Sequence, residues 1–132
     1  MEFYDTGPGE VTAEYVVPDI YQGYPGVVHG GITAAMLDET AGRSVMTQGD
    51  DLRFFITLKL NIKYRRSVPT ETPLKIVGRL ITLRGRRATC HGEIRLPDGS
   101  VAAEAEAVLV EMPAETLTGV DHEALGWRVD DD

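Results

Sequence analysis

The chain has 132 residues, 42% of them hydrophobic, with a formal net charge of −8, which suffices for one domain with a packed core. No apolar run reaches membrane-spanning length, and the start MEFYDTG lacks a basic segment followed by an apolar one, so neither a transmembrane helix nor a secretory leader is indicated. The single cysteine, Cys90, permits no internal disulfide and fits a reducing cytoplasm.

In chain order, residues 1–9 read as a loose start, and residues 11–17 as a short strand that Pro18 and Asp19 end. Residues 20–28, with two glycines and a proline, form a loop that leads into the stretch on which the chain is organised, YPGVVHGGITAAMLDETAGRSVM at residues 24–46. From Gly30 onward this stretch reads as a helix, apolar or small nearly all round until the acids Asp38 and Glu39, and such a helix is usually buried. Two glycines at its start let a ligand or another backbone approach the free N–H groups there. Glu39 has Arg43 at i+4 in the favourable order for an ion pair. Asp38 has no such partner and lies among Gly31, Ala34, Ala35, Ala41, Gly42 and Val45, a face of small side chains. It is left over for chemistry, unless it faces solvent or bonds a neighbouring backbone.

Gly49, Asp50 and Asp51 signal a turn after the helix. Residues 54–64 then alternate Ile56, Leu58, Leu60, Ile62 and Tyr64 with Thr57, Lys59, Asn61 and Lys63, a half-buried strand. Pro69 and Pro73 bracket a turn; residues 74–83 follow as a strand broken by Gly78; RGRR at residues 84–87 is a hairpin loop; residues 88–96 return as a strand. PDGS at residues 97–100 is a turn. Residues 101–110 are the last strand, whose alanines 102, 103, 105 and 107 suggest close packing. In the tail, residues 113–132, Leu125, Trp127 and Val129 are candidates for pinning it to the body. The economical α+β arrangement is an antiparallel sheet wrapped around one central helix, in a single domain over residues 1–132.

Charge is uneven. Residues 59–95 carry ten basic side chains against two acids, leaving the remainder strongly acidic. This is a poor pattern for general nucleic-acid binding, but it offers a small polyanion a local site, unless the arginines serve only solubility.

VVHGGITAAMLDE at residues 27–39 and NIKYRRSVP at residues 61–69, with the basic hairpin, resemble the hotdog-fold acyl-CoA thioesterases. The branch is that of the PaaI-like enzymes, the 4-hydroxybenzoyl-CoA thioesterases of the second type and the mammalian small thioesterase-superfamily proteins. The likeness covers about residues 21–110. It implies that the Gly30 backbone N–H contacts the thioester carbonyl oxygen, that His29 shapes that corner, and that Asp38 attacks the thioester carbon or activates water. Thr57 would position the water or the acid, although by alternation it points away from the Ile56, Leu58 and Leu60 face, so it reaches the site only from the sheet's other side or if a bulge re-aims it. Gln22 stands near the position of a second polar contact. Coenzyme A, part of the substrate and no separate cofactor, would lie against Tyr64, Arg65, Arg66 and Ser67 and against the hairpin Arg84, Gly85, Arg86 and Arg87.

Gly30 and Asp38 are eight residues apart, ~12 Å along one helix, so one thioester cannot touch both. If both act on one carbonyl, the carboxylate comes from a second chain whose helix runs antiparallel, which makes a two-fold dimer the minimum unit. The resemblance likewise implies a homodimer or a dimer of dimers. A hotdog hydratase or dehydratase and a non-enzymatic acyl-CoA-binding protein are the alternatives. A metal site from His29, Asp38, Cys90 and His91 is a poor reading, because the spacing matches no usual ligand pattern.

Overall fold

The structure is a computed structural model that describes residues 1–46 and 53–113. Six strands, β1 (Glu2–Gly7), β2 (Glu10–Val16), β3 (Phe54–Tyr64), β4 (Pro73–Arg84), β5 (Arg87–Arg95) and β6 (Val101–Met112), form one antiparallel sheet in the order β1-β2-β4-β5-β6-β3. The helix α1 (Gly30–Met46) lies across one face of it, and a short 3-10 turn spans Asp19–Tyr21. This is the hotdog arrangement that the resemblance implies. Among the described residues no helix is long and apolar enough to cross a membrane. The turn at residues 49–51 and the tail beyond Pro113 lie outside the described residues.

The sheet face of α1 is Thr33, Met36, Leu37, Thr40, Ala41, Ser44 and Val45, all buried, recurring at the three-to-four residue spacing of one helical face. They pack on Leu74, Ile76, Ala88, Cys90, Ile94, Ala103, Ala105, Ala107 and Leu109 from the central strands, and the β6 alanines are small because the helix runs close above them. The expectation of a helix buried on every side is corrected: Gly31, Ala35, Glu39, Arg43 and Met46 form an exposed stripe.

Three further expectations change. Residues 1–9 are not loose throughout, since β1 pairs with β2. Gly78 does not break β4: it pairs with Gly92 of β5 in a stretch of ladder that keeps its register from Lys75 to Leu80, and the irregularity in β4 falls between Leu80 and Thr82. A Cβ at Gly78 would stand 2.8 Å from the Thr40 carbonyl carbon and 3.2 Å from Ala41 N, so this glycine is where the helix backbone sits on the sheet. Finally, β3 does not keep one alternation. Thr57 pairs with Leu109 and Lys59 with Val108, which leaves Leu58 as an extra, bulged residue. Phe55 and Thr57 therefore face the helix before the bulge, and Leu60 and Ile62 after it. Ile56 and Leu58, expected on the buried face, are 47% and 55% exposed.

Candidate active site

The HGG corner is built by His29. Its carbonyl accepts the N–H groups of Ile32 (3.0 Å) and Thr33 (3.1 Å), and its imidazole Nδ1 accepts the N–H of Gly31 (2.9 Å). His29 thus caps α1 with both backbone and ring. A Cβ at Gly31 would press on the imidazole, at 3.2 Å from Nδ1, so glycine lets the ring sit close over the first turn. Among the described residues the Gly30 N–H has no acceptor, so it is the first-turn donor left open. The Tyr64 hydroxyl donates to the Gly30 carbonyl (3.0 Å), which ties the end of β3 to the start of the helix. Around this corner His29, Gly30, Thr33, Tyr64, Arg65, Arg66 and Ser67 line a cleft of about 670 Å³.

Asp38 lies elsewhere. Thr57, re-aimed by the bulge, donates its hydroxyl to Asp38 Oδ1 at 2.7 Å, while Oδ2 has no partner among the described residues. The two line a second cleft of about 600 Å³ with Phe3, Asp5, Glu39, Arg43, Phe55 and others, and no residue lines both clefts. Glu39 takes the ion pair expected of it, with Arg43 at 3.4 Å, and the Arg43 guanidinium also stands 4.2 Å over the Phe3 ring. Phe3 and Asp5 were invisible as site residues because their strand reads as a loose start. The alternation of Phe3 with Asp5 ahead of the Gly7, Pro8, Gly9 turn is the signal that could have found them.

The basic residues fall into two groups at opposite ends of the sheet. Backbone N–H groups of Arg65 and Arg66 bond Ala102 O, whereas Glu111 N–H bonds Arg86 O, and Ala102 and Glu111 stand nine positions apart on β6, about 30 Å of strand. Arg65 pairs with Glu104, whose carboxyl that bond holds below its ordinary range against the opposing effect of burial. Arg66 bonds Ser100 Oγ at 3.2 Å. Arg86 donates to Glu111 O (2.9 Å), and Arg53, outside the expected set, donates to both Glu111 carboxylate oxygens and to Gly85 O, so these two arginines brace the hairpin. Gly85 has φ +61°, the left-handed turn that RGRR demands. The side chains of Arg84 and Arg87 have no hydrogen bond or ion pair among the described residues. Gln22 is not brought to the cleft: its Oε1 accepts the Gly26 N–H at 2.9 Å within its own loop.

Residues 25–103 match the thioesterase superfamily, and the chain belongs to that family. Acyl-coenzyme A thioesterase THEM4 of Rattus norvegicus is 30% identical over 99 residues, which cover 74% of this chain and 41% of that protein. The chain therefore spans about two-fifths of the length of the THEM4 relatives it matches. A crystal structure of a thioesterase superfamily protein is 35% identical with a TM-score of 0.71, covering 77% of this chain and 49% of that one. A Streptococcus mutans protein, solved bound to acetyl CoA, shares the fold at 22% identity and a TM-score of 0.76, covering 84% and 87% of the two chains.

Proposed function

We propose that the protein hydrolyses an acyl-CoA thioester to a free acid and CoA, in a site that two copies share about a two-fold axis. The observation that carries this reading is the separation of the two polar groups: the open Gly30 N–H and the Thr57-held Asp38 belong to one helix yet line different clefts.

The strand β3 is one of the two edge strands of the sheet, the other being β1, and it runs antiparallel to α1, with Tyr64 at Gly30 and Thr57 at Asp38. Pairing two β3 edges about a two-fold brings the Gly30 end of one protomer beside the Asp38 end of the other. The same operation brings Arg65 and Arg66 of one protomer towards the partner subunit's Arg84 and Arg87. One symmetry element thus completes the reacting centre and a basic site for the CoA phosphates together. The acyl-coenzyme A thioesterase activity in the name of the THEM4 relatives supports this substrate class.

In the completed site the Gly30 N–H, at the positive end of the helix, donates to the thioester carbonyl oxygen and stabilises the negative charge that develops there. The carboxylate of the partner subunit's Asp38, held by its Thr57, attacks the carbonyl carbon or takes a proton from the water that does, and the carbon–sulfur bond breaks with CoA leaving as the thiolate; after direct attack, water hydrolyses the resulting mixed anhydride to the free acid and restores the carboxylate. A single turnover in labelled water, with rapid-quench analysis of the protein, separates the routes: label in Asp38 or a trapped acyl group on Asp38 marks attack by the carboxylate, and the absence of both marks activated water.

Subunit mixing tests the shared site. Gly30→Pro removes the open N–H at the first helical position, where proline is tolerated, and Asp38→Ala removes the carboxylate. Each variant alone is expected to lose thiol release from acyl-CoA by several orders of magnitude. An equal mixture, unfolded and refolded together, forms heterodimers with one intact site each and recovers about a quarter of wild-type activity. No recovery, with heterodimers demonstrated, refutes the shared site; no thiol release by the wild type across aromatic, short and long acyl-CoAs refutes the reaction.

A further inference from the structure

The open Gly30 N–H stands where a helix is least rigid. Gly30 and Gly31 are consecutive glycines in its first turn, and glycine has more conformational freedom than any other residue, so an unrestrained corner of this sequence would fray and turn its donor away. Hydrogen bonds on both sides of Gly30 prevent this. The His29 N–H donates to Tyr21 O (2.8 Å), and the His29 carbonyl accepts from Ile32 and Thr33, which restrains the planar peptide that carries the Gly30 N–H. The next peptide is held at both of its polar ends: the Gly31 N–H donates to His29 Nδ1 at 2.9 Å, and the Gly30 carbonyl accepts the Tyr64 hydroxyl at 3.0 Å.

The Tyr64 hydroxyl comes from a firmly held strand end. Tyr64 pairs with Ala103 of β6, and the N–H groups of Arg65 and Arg66 that follow it bond Ala102 O. A Cβ at Gly30 would stand 3.7 Å from the Tyr64 hydroxyl oxygen, so the tip of the phenol lies close against Gly30. The side chain is 55% exposed and belongs to neither core cluster, so packing of the core does not account for it. Seven positions earlier on the same strand, Thr57 holds Asp38. Residues seven apart on a regular strand face opposite sides; the bulge at Leu58 brings both hydroxyls to the helix side. The strand β3 thus meets α1 with one hydroxyl at the Gly30 end and one at Asp38.

We infer that Tyr64 is a positioning residue: through the Gly30 carbonyl, its hydroxyl fixes the direction of the Gly30 N–H that receives the thioester oxygen. This rests on the acyl-CoA reading. The resemblance places Tyr64 against coenzyme A, but its hydroxyl is engaged with the protein, which leaves the ring for a ligand. An oxyanion donor acts by being aimed before the charge develops, so a donor carried on glycines depends on such restraint more than one within a regular helix. The edge that pairs with the partner subunit carries both Thr57 and Tyr64, so in the shared site a single strand pair sets the carboxylate and the donor relative to one another.

The test is Tyr64→Phe, which keeps the ring and removes only the hydroxyl. The kcat for thiol release is expected to fall about tenfold, with KM and the affinity for free CoA within about twofold of wild type and the thermal midpoint lower by no more than about 3 °C. Because His29 and Tyr64 hold the same peptide, their losses should not multiply. If His29→Ala also loses about tenfold, the double variant is expected within about threefold of the more impaired single one, where independent roles would give about a hundredfold. An unchanged kcat in Tyr64→Phe overturns the inference, as does a raised KM with kcat intact, which would make the hydroxyl a ligand contact; a double variant that equals the product of the singles overturns the argument from the shared peptide. Each of these leaves the acyl-CoA reading standing, whereas a wild-type protein that releases no thiol overturns both.

Discussion

Gly78→Ala probes whether the seat of α1 on the sheet positions the site. The added methyl would stand 2.8 Å from the Thr40 carbonyl carbon and 3.2 Å from Ala41 N, both backbone atoms inside a helix that cannot swing aside as a side chain can. The Thr40 carbonyl oxygen lies nearer still, so restoring an ordinary contact of about 3.5 Å requires α1 to lift by at least about 0.7 Å at Thr40, enough to forfeit a quarter to a half of the dispersion contact of the side chains beneath. Leu37, Ala41 and Val45 are fully buried at that contact, so a loss of about 3 kcal/mol is expected. With a urea dependence of about 1.5 kcal/mol per molar, the unfolding midpoint falls by about 2 M. Gly92→Ala is the internal control. Its methyl would meet Leu37 O at 3.3 Å and the end of the Leu37 side chain at 3.4 Å, so about 1 kcal/mol is expected. Because Asp38 rides on the lifted helix and Thr57 stays with the sheet, Gly78→Ala should also lose turnover in the fraction that remains folded. A Gly78→Ala midpoint within about 0.3 M of wild type, or a larger loss in Gly92→Ala, refutes the seating argument.

Two other outcomes follow from the site. Thr57→Val removes the hydrogen bond to Asp38 Oδ1 from a partly open cleft, so kcat should fall by about 10- to 100-fold with KM and thermal midpoint little changed; an unchanged kcat would mean that the carboxylate is held by something else. Burial pushes the Cys90 thiol up, and its bond with Ser44 offsets this only in part. The folded protein therefore keeps the thiol protonated after the unfolded chain has begun to ionise at about pH 9, so this contribution to stability is complete below that pH and is lost as pH rises through and beyond it. Urea midpoints between pH 8 and pH 10 should decline more steeply for the wild type than for Cys90→Ala; parallel declines would contradict the burial account.

How much of this was legible in the sequence depends on how far each feature is local. The helix, the HGG corner, the Glu39 to Arg43 pair and the turn at PDGS each rest on residues within a few positions of one another, and spacing alone reveals them. Gly78 is different, because a glycine in a strand reads equally as a break and as a place where another backbone comes close; only the register against Gly92 and the helix above decide between the two. The arginines are different again: Arg65 and Arg87 belong to one basic run in the sequence, yet they stand at opposite ends of the sheet because β6 runs between them.

The position of Thr57 shows most clearly where period-two reasoning fails. Alternation counted back from Ile62 and Leu60 assigns Thr57 to the wrong face, and it does so correctly for an unbulged strand. One unpaired residue, Leu58, reverses the parity of everything before it, sends Ile56 outward and turns Thr57 to Asp38. A strand stabilised only by its apolar face would have kept Ile56 and Leu58 inside. That two large apolar side chains are turned outward on an edge strand while a threonine meets a carboxylate beneath it is a cost to folding that the Asp38 site accounts for and the core does not.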